Sequence, residues 1–172
     1  LALSPGAVQG LILTNTKLRQ RRNRPQGGAS RDMDQNSKSP RITIQAFNRL
    51  LDESAPFQKI YGFITEDIGF GTARVRLPAG EAHIRPGGTL SGPAQMALAE
   101  FAMYAALLGA IGEVPLAVTT SLNINFLQRP RPGELVASCG LIKLGKRLAV
   151  GDIMVHSEGM AAPVSHATAT YS

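Results

Sequence analysis

A single cysteine, Cys139, stands among the 172 residues, which excludes an internal disulfide and any thiolate metal cluster. His83, His156 and His166 are too scattered for ligand spacing, so no metal is expected. There is no internal repeat and no phosphate-cradling loop: Gly87-Gly88 lacks the strand, loop and Gly-Lys-Ser/Thr context such a loop needs. Charge is sparse at 17% and hydrophobic residues reach 44%, a balance that excludes wholesale disorder. The length suits one domain, or one domain with a tail, and is enough to bury a core.

What charge there is looks basic, with net +6 and a sequence pI near 10.0. All of that excess lies in residues 1–41, which carry eight Lys and Arg against Asp32 and Asp34; residues 42–172 hold ten of each sign. The segment Arg-Gln-Arg-Arg-Asn-Arg-Pro-Gln-Gly-Gly (19–28) has no apolar periodicity and ends in turn formers, so 1–41 reads as a disordered basic leader. No aromatic residue interleaves its arginines, which argues against a nucleic-acid arm. The first methionine is Met33, and the simplest expectation is a natural start there, with a cytoplasmic protein. A genuine transit peptide over 1–32, acid-free until Asp32, would instead direct the chain to an organellar matrix.

The domain expected over 42–172 opens with helical spacing at 42–51. Two β-like runs follow at 59–65 and 71–77, the second alternating Ala73, Val75 and Leu77 against Arg74 and Arg76. A turn-rich stretch leads to one long helix over 91–110, capped by Ser91, with Pro93 in the first turn where its missing N–H costs nothing. Strands are predicted at 116–127, 134–144, 147–156 and 163–171. This order gives an α+β fold, a curved antiparallel sheet wrapped around one central helix.

Between Arg85 and Glu113 the only charged side chain is Glu100. A helix apolar all round either crosses a membrane or is wrapped by protein. Pro93, Gln95 and Glu100 leave an uninterrupted apolar run of only residues 101–111, too short to span, so wrapping is expected. A lone carboxylate in such a helix is satisfied by hydrogen bonds, neutralised, or used for proton transfer.

Three stretches carry a family likeness. His83-Ile84-Arg85-Pro86-Gly87-Gly88-Thr89-Leu90-Ser91-Gly92-Pro93 resembles an H-x-N-x-x-G-x-x-H-G-G entry to the helix, and Leu98-Ala99-Glu100-Phe101-Ala102 resembles an L-A-D/E-x-A segment. Ala117 to Leu127, with Arg131-Pro132-Gly133-Glu134 and the Gly145-Lys146-Arg147 hairpin, resembles the strands that follow. Together they resemble the PaaI-like acyl-CoA thioesterases of the hotdog fold, which include the 4-hydroxybenzoyl-CoA thioesterases.

That resemblance implies hydrolysis of an acyl- or aryl-CoA to CoA and a carboxylic acid, with no cofactor beyond the CoA of the substrate. Glu100 would activate water or attack the thioester itself. Gly92, at the helix N-terminus, would polarise the thioester oxygen through its N–H. The two are eight residues apart, about 12 Å along one helix, so one carbonyl cannot use both from a single chain. A homodimer with two interfacial sites follows, paired through the strand at 119–126, and dimers of this kind often pair again. Arg85, Ser91 and Pro93 depart from the usual Asn or Gln, His and Gly. Arg85, Ser91, Tyr104 and Thr119 are the candidate substrate contacts, with Tyr104, one turn after Glu100, either bonding that carboxylate or simply packing. Arg129, Arg131, Lys143, Lys146 and Arg147 are the candidates for the CoA phosphates, and Ile60, Phe63, Phe101 and Met103 for the acyl wall. The rivals are a non-catalytic acyl-CoA sensor and a hydratase or dehydratase; the latter needs a His paired with an acid near the helix, and none lies between His83 and His156.

Overall fold

The computed structural model describes residues 38–172, so residues 1–37 of the leader, with the start at Met33, lie outside the described residues. Helix α1 (Ile44–Ser54) begins where the Thr43 hydroxyl accepts the Ala46 N–H at 3.2 Å, and it ends just short of Pro56. It outlasts the expected 42–51 by one turn, and its Phe47 ring is fully buried. The run expected as a strand over 59–65 is different: a 3-10 turn occupies Pro56–Ile60, and strand β1 covers Ile64–Gly69. Residues 68 and 69, between the two expected runs, are therefore strand, and the hairpin to β2 (Thr72–Leu77) is made by Phe70-Gly71. A two-stranded ribbon, β3 (Ile84–Arg85) and β4 (Thr89–Leu90), fills the stretch read as turns.

Helix α2 runs Gly92–Ile111, with the Ser91 hydroxyl accepting the Ala94 N–H at 3.3 Å. Strands β5 (Thr119–Phe126), β6 (Leu135–Leu144), β7 (Ala149–Ser157) and β8 (Ser165–Tyr171) complete the order. Six strands form one antiparallel sheet in the order β1-β2-β6-β7-β8-β5. Inward residues alternate cleanly on β6, β7 and β8, and the helix lies along that face as the hotdog architecture requires. Six alanines lie on its buried side, Ala94, Ala99, Ala102, Ala105, Ala106 and Ala110. At its end a Cβ on Gly109 would come 2.2 Å from the Gly69 carbonyl oxygen, so only glycine permits the approach to β1.

By length and composition α2 could cross a membrane, yet 78% of that stretch is buried in the fold. It is not wrapped on every side, however. Pro93 and Met96 are exposed and Ala97, Glu100 and Tyr104 only half-buried, which at this spacing is one continuous stripe. Among the described residues strand β5 beside it is a sheet edge, and Val118, Phe126 and Leu127 flanking that edge are more than half exposed.

Candidate active site

Glu100 stands on the open stripe of α2. Its Oε1 accepts a hydrogen bond from the Thr119 hydroxyl at 2.6 Å and a longer one from the Tyr171 phenol at 3.4 Å. The two donors arrive together because Thr119, first in β5, is the cross-strand partner of Tyr171, last in β8. Burial pushes the Tyr171 phenol far up and the charge of Glu100 adds to this, while the Thr119 hydroxyl acts the other way; Tyr171 stays a donor at neutral pH. Among the described residues Oε2 of Glu100 has no partner. One oxygen is thus held and the other is left to a ligand.

That carboxylate lines a hollow of about 540 Å³. Its aromatic walls are joined through a ring behind them: Tyr61 stacks on Phe63 at 5.1 Å, Phe63 meets Phe101 at 4.7 Å, and Phe101 meets Phe47, fully buried and outside the hollow, at 5.6 Å. Phe47 continues to Tyr104 at 5.8 Å, and Tyr104 to Tyr171 at 6.2 Å. Phe63 and Phe101 both line this hollow. Ile60 is 76% exposed and outside the hollow, and Met103 is fully buried against Cys139, so both leave the wall. Tyr104 lines the hollow with its ring packed between Phe47 and Tyr171, and the phenol that reaches Glu100 is Tyr171, which sequence reasoning missed.

Gly92 lines a second hollow, of about 380 Å³, with Arg85, Gln95, Phe126 and Arg129. Its N–H has no acceptor among the described residues, as the first position of a helix dictates. A Cβ at Gly92 would stand 3.2 Å from the Phe126 ring, so the glycine admits that ring. Arg85 is steadied by its Nε donating to Thr89 across the ribbon at 2.9 Å. Ser91 uses its hydroxyl oxygen as the helix cap. No residue of this second hollow lines the first.

The five basic candidates do not converge within one chain. Arg129 and Arg131 lie in the β5–β6 connection, whereas Lys143, Lys146 and Arg147 lie at the opposite end of β6, about 30 Å away at strand rise. All five are exposed. His166 does pair with an acid, Asp152 at 2.6 Å, but on the face of the sheet away from α2. His83 is buried and stacked on Tyr61.

A family model described as the thioesterase superfamily matches residues 87–164. A solved structure from Silicibacter sp. TM1040, described as a "putative thioesterase", is 40% identical, with a TM-score of 0.69 over 77% of this chain and 92% of that one. A "putative esterase" from Saccharolobus solfataricus is 30% identical over 118 residues, covering 68% of this chain and 77% of the relative. A mutant of the phenylacetic acid degradation protein PaaI from Thermus thermophilus is 26% identical, with a TM-score of 0.60 over 67% of this chain and 96% of that one.

Proposed function

The chain belongs to the thioesterase superfamily, and from that premise we propose that it hydrolyses an acyl- or aryl-CoA thioester to CoA and a carboxylic acid. The observation that carries this reading is the asymmetric hold on Glu100, with Oε1 taken by Thr119 and Tyr171 and Oε2 free on an aromatic-lined hollow. Oε2 takes a proton from water as the water oxygen adds to the thioester carbonyl. The carbon–sulfur bond then breaks, and the proton passes to the departing thiolate. Direct attack by Oε2, giving an anhydride that water opens, uses the same geometry. The N–H of Gly92 and the positive end of α2 stabilise the carbonyl oxygen as it gains charge.

Gly92 and Glu100 line separate hollows some 12 Å apart along α2, so a working site takes Gly92 from one chain and Glu100 from another. The open stripe of α2 and the free β5 edge supply the surface for a homodimer. Thiol release from a panel of acyl- and aryl-CoAs tests the reaction; ligand binding without thiol release would mark a sensor instead. Mixing tests the shared site. Subunits carrying Glu100→Gln and subunits carrying Gly92→Val, each inactive alone, recover about a quarter of wild-type activity when randomly reassociated, since half the dimers have one intact site. No recovery, with mixed dimers shown to form, refutes a site built from both chains.

A further inference from the structure

Helix α2 carries three polar side chains beyond its cap: Gln95, Glu100 and Tyr104. Glu100 and Tyr104 belong to the first hollow. Gln95 lines the second, where the mechanism so far uses only the backbone of Gly92. Its side chain is 3% exposed, and among the described residues it is the one buried side-chain amide. Its Nε2 donates to the Ser91 carbonyl at a long 3.5 Å. Its Oε1 is buried and, among the described residues, has no donor. A buried acceptor left unmet is destabilising, and any apolar residue would have suited this helix face.

The surroundings narrow what that oxygen accepts. The N-terminus of α2, Arg85 and Arg129 all make the hollow positive, which disfavours a cationic donor. A neutral N–H on an otherwise anionic ligand fits. In a CoA thioester the sulfur is joined through two methylenes to an amide nitrogen of the pantetheine arm. Gln95 is three residues from Gly92, on the same helix face and about 4.5 Å further along. Resting on the thioesterase reading, we infer that Gln95 Oε1 accepts the amide N–H of the pantetheine arm nearest the sulfur, and so sets the thioester carbonyl against the Gly92 N–H.

The test changes one atom of the ligand. Hydrolysis of an acyl-CoA is compared with that of its analogue in which this amide nitrogen is replaced by oxygen, using wild type, Gln95→Met and Gln95→Glu. In wild type, kcat/KM falls about five- to tenfold for the ester analogue. Gln95→Met loses a similar factor on the amide substrate and no longer distinguishes the two, while Gln95→Glu, still an acceptor, keeps the distinction. A merely structural Gln95 would slow both substrates equally in Gln95→Met. Equal handling of the two ligands by wild type overturns the inference, and that arm needs no variant to fold. Absence of thiol release from either ligand sinks the thioesterase reading instead; calorimetric binding of CoA and its ester analogue then decides Gln95 without turnover, equal affinities overturning it.

Discussion

Two glutamates in this chain each take hydrogen bonds from two side chains, and the partners make them opposites. Glu66, at the irregularity in β1, accepts from Arg74 Nε at 2.7 Å through one oxygen and from Arg76 Nε at 2.5 Å through the other. Arg76 also donates to Glu134, so the outer face of β1, β2 and β6 carries a linear ionic series, Arg74–Glu66–Arg76–Glu134. Both oxygens of Glu66 are consumed and its charge is matched. Glu100 receives two hydroxyls, neither of them charged, on one oxygen alone. A carboxylate saturated by guanidinium groups is a rivet between strands. One oriented by neutral donors on a single oxygen is aimed, and keeps its charge for a reaction.

Exchanging the acids one at a time tests that contrast. Glu100→Gln keeps the shape and the bond from Thr119, and lowers kcat by about 10²–10⁴-fold with little change in the unfolding midpoint. Glu66→Gln does the reverse: activity is retained and stability falls by about 1 kcal/mol, modest because Arg74 is half exposed. Thiol-release kinetics beside denaturant melts read both, and an active Glu100→Gln protein would end the assignment. Next in size is Thr119→Val, which removes the 2.6 Å bond to a charged acceptor and costs about tenfold or more in kcat. Tyr171→Phe removes only the 3.4 Å bond and costs a few-fold. A reversed order for those two variants would mean that Tyr171, not Thr119, orients the acid.

How much of this was legible beforehand follows the range of the interactions. The long helix, its Ser91 cap and the isolation of Glu100 are local facts of composition, and the structure agrees with them within a residue or two. The alternation of Ala73, Val75 and Leu77 likewise placed β2. Misreading began at the run expected as a strand over 59–65: a 3-10 turn takes its first residues, and Gly62, at φ 67, sits in the left-handed region that a strand does not use, so extended pairing starts only at Ile64. Tyr104 was expected beside Glu100 because a neighbour four residues along a helix can be computed from spacing. Tyr171 comes from the far end of the chain through the register of β5 on β8, which no local pattern states. The open stripe on α2 was hidden for a similar reason, since a helix apolar all round does not declare which side a single chain leaves uncovered.

The smallest effect separates the network from the site by acid. Burial works to raise the pKa of Glu66, but the bonds and charges of Arg76 and Arg74 outweigh it and hold the carboxyl below the ordinary range. A folded pKa lower than the unfolded one means that the unfolded chain binds the proton more readily. The network's contribution is therefore fully present above the unfolded carboxylate pKa and is lost as pH falls through the folded one. Wild type and Glu66→Gln, melted in denaturant across that acidic window, start about 1 kcal/mol apart at neutral pH and converge as Glu66 protonates. A gap that stays constant into strong acid would show that the variant loses packing rather than charge, and Glu66 would no longer serve as the ionic counterpart of Glu100.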